Sequence, residues 1–284
     1  MRAPVKAVVK TTPANGYNYA TDHPEPPVGF GQVRIAVAAA SLCGTDKELV
    51  AYSAAARAFG LAFPVVLGHE VAGTVVETGP GVDTLRCGDR VALESHIACR
   101  RCYHCRVGEG HNCLNIKLLG LHVDGGFAER LVVSEHACFP LPENVSTETG
   151  ALFESAGVAV HAVQRSQVNL AGRSVLIAGG GPIGLALVQL SQLSGARRTV
   201  VVEPNAFRRN VAESLGAVAF EPDESVADWC QGESEDRGGF DVGFDCTGAP
   251  GALEVVLRAL RRERPPRSAS GCRSSRSRWT SLST

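Results

Sequence analysis

Four of the ten cysteines fall within fifteen residues, as Cys99, Cys102, Cys105 and Cys113, in a C-x2-C-x2-C-x7-C pattern. Thiolate is a soft ligand that suits zinc, and four sulfurs close a tetrahedral shell with no position left for water or substrate. Such a site is structural: it steadies a loop too short to build a core. The interspersed Arg100, Arg101 and Arg106 offset the charge of a tetrathiolate. Free thiols in a surface loop are the alternative, and the regular spacing of three speaks against it. The other six cysteines are scattered, and Met1 to Lys10 has no apolar run behind its basic residues. Without an export signal, a crowded cluster reads as metal-binding rather than oxidised.

A second set of candidate ligands is spread along the chain. Cys43 stands in Cys43-Gly44-Thr45-Asp46, His69 and Glu70 in Gly68-His69-Glu70, and Glu154 in an Ala-rich stretch. Cys, His and carboxylate are the ligand types of a catalytic zinc that keeps an open position. Taken singly, His69 also reads as a satisfied core histidine and Glu154 as a solvated helix residue. Their separation in sequence does not show that they converge.

A third candidate is Gly179-Gly180-Gly181-Pro182-Ile183-Gly184, which contains G-x-G-x-x-G. It follows the apolar run Val175 to Ala178 and opens a helical pattern, the context a dinucleotide-binding turn requires. Gly179 would permit the tight turn, Gly181 the close approach of a pyrophosphate, and Gly184 close packing of helix on strand. The helix N-terminus at Pro182 and Ile183 would offer N–H groups to phosphate. Glu203 ends the next strand, near the roughly 20-residue offset of the acidic residue that binds ribose hydroxyls. A carboxylate there repels a 2′-phosphate and favours NAD over NADP; Arg208 and Arg209 leave NADP open. The alternative is a purely structural glycine turn.

The elements that must position these residues fall into two halves. At roughly 100–200 residues per domain, 284 residues suggest two. The first half is read as β-rich, with runs at Val33 to Ala38, Val71 to Glu77, Arg90 to Leu93 and Phe127 to Val133 between Gly- and Pro-bearing turns. That pattern predicts a compact barrel or sandwich. Glu148 to Gln164 suits helix. The second half alternates strand and helix: Ser174 to Ala178, Pro182 to Leu193, Thr199 to Val202, Ala206 to Leu215, Ala217 to Phe220, Phe240 to Cys246 and Gly251 to Leu260. Alternation at this spacing predicts a parallel doubly wound sheet. Residues 1–157 are expected to form the first domain, with the zinc lobe at 95–115, and 158–260 the second.

Composition narrows the partners. The chain is 44% hydrophobic and 20% charged, which suits a globular protein, and its formal net charge of −1 gives no footing for nucleic acid or an anionic membrane. No apolar stretch approaches the ~20 residues a membrane span needs, so a cytoplasmic location is expected.

Taken in order, Cys43-Gly44-Thr45-Asp46, Gly68-His69-Glu70, the segment ending Gly88-Asp89-Arg90-Val91, the four-cysteine lobe and the glycine turn resemble the zinc-dependent medium-chain alcohol dehydrogenases. The resemblance covers roughly residues 1–260. Glu94-Ser95-His96-Ile97-Ala98-Cys99 and Asp124-Gly125-Gly126-Phe127-Ala128-Glu129 are most similar to the L-threonine 3-dehydrogenases, with sorbitol and butanediol dehydrogenases next. The resemblance implies a GroES-like β-barrel catalytic domain joined to a Rossmann domain, with the active site in a cleft between them. It implies two zinc ions per chain and NAD. It places Cys43, His69 and Glu154 at catalytic zinc ligands, Glu70 at an adjacent carboxylate that is a ligand in some states, Thr45 at the hydroxyl that relays the substrate proton, and His96 near the substrate. It implies hydride transfer from a secondary alcohol of the threonine, polyol or diol class. Lys47-Glu48 stand where threonine dehydrogenases usually carry another histidine. A homo-oligomer formed through the Rossmann sheet is implied as well.

The chain departs from that pattern after Leu260. Of the last 24 residues seven are Arg and seven Ser, with Pro265-Pro266 and one acid, Glu263. No apolar periodicity remains, so residues 261–284 are expected to supply neither strand nor core helix. The family's Rossmann half has six strands, and four are found here. The expectation is a truncated Rossmann domain whose fourth strand is a bare edge, and with it an alternative function: a non-catalytic remnant that binds zinc but lacks a complete nicotinamide site.

Overall fold

The computed structural model describes residues 4–223, 225–234 and 237–261, and the backbone of 280–281. The chain divides into two compact units, Met1–Glu154 and Ser155–Thr284.

The first unit contains β1 (Val5–Lys10), β2 (Asn18–His23), β3 (Gln32–Ser41), α1 (Gly44–Ala51), α2 (Ala54–Phe59), β4 (Val65–Val66), β5 (Glu70–Thr78), β6 (Arg90–Leu93), β7 (His96–Ile97), α3 (Tyr103–Arg106), β8 (Lys117–Leu118), β9 (Arg130–Ser134), β10 (Cys138–Pro140) and α4 (Thr147–Gly150). Its sheets run β2-β1-β4 and β10-β6-β5-β3-β9, and β7 pairs with β8. Neighbouring strands are antiparallel throughout. Side chains alternate across a strand, so residues two apart share a face. Val33 and Ile35, Val71 and Val75, Val91 and Leu93, and Leu131 and Val133 are accordingly all buried in one core. The β3–β5 ladder is the longest in this unit and is interrupted by bulges between Arg34 and Ile35 and between Val37 and Ala39. Bulges bend a strand and raise its twist. The ladder ends on the pair Ser41↔Glu70.

α1 and α2 lie in a stretch for which no element was expected. Gly60, in the left-handed conformation, closes α2, and Ser53 caps its start by accepting the Ala56 N–H. Leu49 and Ala56 enter a small core with Val65 and Leu67.

The second unit begins with the body of α5 (Phe153–Ser166) and continues through β11 (Ser174–Ala178), α6 (Pro182–Leu193), β12 (Arg198–Val202), α7 (Ala206–Ser214), β13 (Val218–Phe220), α8 (Ser225–Gly232), β14 (Val242–Asp245), α9 (Ala252–Ala259) and β15 (Thr280–Ser281). The sheet order is β13-β12-β11-β14-β15, all parallel. Val175, Ile177, Val201, Val242 and Phe244 face α5, α6 and α7, while Leu176, Ala178, Val200 and Val202 face α8 and α9. Helices on both faces make the sheet doubly wound, and strand order reverses beside β11, the place where such sheets bind ligands.

One expectation for the tail is corrected. Thr280 and Ser281 add a fifth strand, paired in parallel with Phe244 and Asp245, so β14 is not a bare edge. A ladder is made by backbone N–H and C=O groups, so two residues join it without the apolar periodicity that the sequence lacks. The expectation that the rest of the tail is irregular concerns 262–279 and 282–284, which lie outside the described residues.

The glycine turn between β11 and α6 is built on close approach. Gly179 takes φ +98°, and a methyl on Gly184 would run into the Gly179 carbonyl oxygen. Gly184→Ala is therefore expected to cost about 1–3 kcal/mol, the usual range for overpacking, read as a lower urea midpoint with an unchanged m-value.

Candidate metal centres and nucleotide turn

The first cluster grows out of the end of the β3–β5 ladder. The Ser41 hydroxyl donates to Glu70 Oε2 across the last pair. Cys43 lies two residues beyond Ser41, and His69 one residue before Glu70. The donor atoms of Cys43, His69 and Glu70 lie within 4.8 Å of one another. His69 and Glu70 are buried. Thr45, half-buried, sits in the first turn of α1.

Asp46, which the sequence reading passed over, joins these parts. Its side chain is 2% exposed. Oδ2 accepts the Cys43 N–H at 2.9 Å. Oδ1 faces His69 Nδ1 at 3.5 Å, and the two atoms are otherwise unpartnered and buried. A ligand histidine is commonly oriented in this way by a carboxylate on its other nitrogen. The signal was present in sequence: Asp46 is three residues after Cys43, at the position from which a side chain reaches back to cap a helix. Burial works against charge on His69, but the Asp46 carboxylate and the Cys43 sulfur outweigh it and lift its pKa to about 10.

Glu154 does not fall in that group. Its Oε1 accepts the Ser95 hydroxyl at 2.8 Å and its Oε2 the Ser95 N–H at 3.3 Å. Its carboxylate clusters with Glu94 and His96, again with donors within 4.8 Å. His96, exposed, has Nδ1 at 2.6 Å from Glu94 Oε1. Burial, then the charge of Glu94, raises the Glu154 pKa. The hydrogen bond to Glu94 is the chief cause that raises His96.

The four cysteines converge as their spacing suggests. Cys99, Cys102, Cys105 and Cys113 form a group with mutual Sγ distances within 4.8 Å. Cys102 Sγ lies 3.5 Å from Cys105 and 3.9 Å from Cys113. Backbone N–H groups of Cys99 and Asn115 point at Cys113 Sγ at 3.2 and 3.3 Å. N–H groups of Arg101 and Cys102 pull the Cys99 thiol down to about 6. Burial and the neighbouring sulfurs push Cys105 up to about 12. Sulfurs gathered this closely repel as thiolates unless a cation lies among them. Between residues 98 and 118, Cys113 is the one fully buried residue. This lobe, stemmed by β7 and β8, has no apolar core to hold it. The donor set and the missing core both fit a structural zinc.

In the second unit, α6 starts directly after the glycine turn, with Gly181 as its cap and Pro182 at its first position. A side chain at Gly181 would meet nothing within 4 Å, so the space before the helix is open. Ile183 packs partly into the core beneath. Glu203 is 4% exposed. Its Oε2 accepts the Gly180 N–H at 2.7 Å and its Oε1 the Asn205 N–H at 2.9 Å. Arg208 lies 3.9 Å from the same carboxylate, half-exposed.

Two family models match the chain: an alcohol dehydrogenase GroES-like domain over residues 29–143 and a zinc-binding dehydrogenase domain over 182–263. The L-threonine 3-dehydrogenase of Pyrococcus furiosus is 41% identical over 261 residues, covering 89% of this chain and 72% of that protein. The chain belongs to the zinc-dependent alcohol dehydrogenase family. Among solved structures, a zinc-binding dehydrogenase from Sinorhizobium meliloti bound to NADP is 32% identical, with TM-score 0.81 over 92% of this chain and 75% of that one. A short chain alcohol dehydrogenase from Escherichia coli in complex with NADH is 28% identical, with TM-score 0.78 over 91% and 74%. The first unit is thus the GroES-like domain and the second the Rossmann domain of an NAD(P)-dependent, zinc-binding alcohol dehydrogenase.

Three outcomes are expected at these centres. Asp46→Asn removes the charge facing His69 and weakens metal binding at the Cys43–His69–Glu70 group about ten- to hundredfold, measured by competition with a chromophoric chelator, while the four-cysteine lobe holds its metal unchanged. Because His69 is protonated at neutral pH when no metal is bound, the metal displaces a proton, and wild-type affinity rises with pH. Arg100 takes φ +59° between two zinc-ligand candidates, a conformation that costs a residue with a Cβ about 1–2 kcal/mol. Arg100→Gly is expected to slow metal loss from the lobe in a chelator time course.

Proposed function

We propose that this chain oxidises a secondary alcohol of the threonine, polyol or diol class to the ketone, with NAD as the acceptor: alcohol and NAD give ketone, NADH and one proton. The observation that carries the reading is the group of half-buried Cys43 with buried His69 and Glu70 at the end of the β3–β5 ladder, with all its donors within 4.8 Å.

Two zinc ions per chain suit the donors: one held by Cys43, His69 and Glu70, the other by Cys99, Cys102, Cys105 and Cys113. When bound, the first supplies Lewis acidity that lowers the pKa of an alcohol, and the nicotinamide accepts hydride. The chain's own residues do the rest. Asp46 orients His69. Thr45, on the first turn of α1, takes the substrate proton on its hydroxyl and passes it outward. Glu70, held by Ser41, and Glu154, held by Ser95, are carboxylates kept in place by hydroxyl donors. His96, with Glu94 on Nδ1, keeps its other ring nitrogen for the substrate. Gly179, Gly181, Pro182, Ile183 and Gly184 shape the phosphate-binding turn, and Glu203 places a negative charge beside the ribose, favouring NAD over NADP. Arg208, near Glu203, pairs with that carboxylate rather than with a 2′-phosphate.

Threonine, butanediol and sorbitol are to be tested with NAD and with NADP, following NADH or NADPH fluorescence in a preparation whose zinc content is measured. Turnover of at least one alcohol with NAD, lost in Cys43→Ser, is expected. A two-zinc preparation that oxidises none of them sinks the proposal and leaves the zinc-binding remnant as the reading.

A further inference from the structure

Among the described residues, one of the largest fully buried side chains is a lysine. Lys10, the last residue of β1, is 1% exposed. A buried ammonium is costly unless its donors are filled, and among the described residues no carboxylate pairs with it. Its three donors go instead to carbonyl oxygens: Ala14, Gly16 at 2.7 Å and Val50 at 2.9 Å. The ring of Tyr52 lies beside it, its centroid 5.8 Å from Nζ.

Val50 is in the last turn of α1. The carbonyls there have no partner within the helix and carry the negative end of its dipole, where a cation is favourable. α1 has eight residues, too few to persist unaided. It follows directly on Cys43 and carries Thr45 and Asp46 in its first turn. Its start is tied by Asp46 to the Cys43 N–H. Its end is tied through the Val50 carbonyl, which accepts both Lys10 Nζ and the Gly16 N–H, the latter at 2.9 Å. Tyr52 follows in the left-handed conformation, φ +50°, so α1 ends there, with Leu49 packed beside Ala56 of α2.

We propose that Lys10 is a positioning residue of the first metal centre: by clamping the C-terminal end of α1 it fixes where Cys43, Thr45 and Asp46 stand. This rests on the reading of Cys43, His69 and Glu70 as metal ligands given under Proposed function. The clamp acts along a helix about 12 Å long at 1.5 Å per residue, and through it a residue on another strand sets the geometry of the ligands.

The test uses the full chain and zinc alone, so it does not depend on turnover. Zinc affinities of both centres are measured by chelator competition for wild type, Lys10→Met and Lys10→Gln, with Cys43→Ser identifying which binding step is the first centre. Lys10→Met is expected to weaken the first centre about tenfold, in the range seen when the outer partners of a metal site are removed, and to leave the four-cysteine centre unchanged. Lys10→Gln keeps one polar donor group, and about a threefold loss at the same centre is expected. A merely structural role would weaken both centres together or neither. A folded Lys10→Met with wild-type affinity at the first centre overturns the proposal; if that variant does not fold, wild-type affinity in Lys10→Gln overturns it equally. A wild-type chain with no binding step sensitive to Cys43→Ser overturns the metal-centre reading itself, and the role of Lys10 with it.

Discussion

The Ser41–Glu70 rung is the constraint from which the first centre follows. Antiparallel pairing brings the end of one strand against the start of its neighbour, so the residues just past that rung on β3 and just before it on β5 are neighbours whatever lies between them. His69 stands just before the rung on β5, and Cys43 stands two residues past it on the β3 side. The pairing places them, and the alternation of side chains decides which face they take. A slip of one residue would send Val33, Ile35, Val71 and Val75 out of the core, so burial of those residues and register of the ligands are one requirement. The two bulges in β3 adjust the ladder without releasing it.

The two candidate metal groups solve opposite problems. The four-cysteine lobe lacks a core, so sulfur and backbone N–H groups must supply what apolar packing supplies elsewhere. The first centre sits where the protein is already packed, and its polar groups must be matched one by one: Glu70 to Ser41, and Asp46 to Cys43 and His69. Partial matching in such a place is costly, which is why Asp46 uses both oxygens. The second group is held together by ligands, whereas the first is held ready for them.

What was legible in the sequence was local. The cysteine spacing encodes its own convergence, because four ligands within fifteen residues need only a tight loop to meet. The glycine turn is equally local: the strand before it, the helix after it and the bulk excluded at Gly184 lie within ten residues. Strand and helix alternation in the second half followed from hydrophobic period, except for α8, for which no element was expected. The misses are long-range or depend on backbone. Glu154 groups with Glu94 and His96 rather than with Cys43 because of its neighbour Ser95, 59 positions away, and spacing does not encode that. α1 and α2 are short and weakly amphipathic, and their helicity depends on caps and on packing of Leu49 and Ala56. β15 is made by two backbone units whose side chains gave no signal.

Glu203 shows how one carboxylate answers two demands. It stands at the C-terminal end of β12, where the charge of a ribose-binding acid is wanted. Its oxygens are also bonded to the Gly180 and Asn205 amides, one in the glycine turn and the other capping α7. The turn and the next helix start are therefore tied to each other through this side chain. An anion kept 4% exposed in this way holds its position by backbone N–H groups rather than by a counter-ion, since Arg208 reaches it at 3.9 Å from a half-exposed stem. The charge that disfavours a 2′-phosphate and the bond that shapes the phosphate-binding turn reside in the same group. Changing the acid would loosen the turn at the same time, so the proposed preference for NAD is tied to the stability of the turn itself.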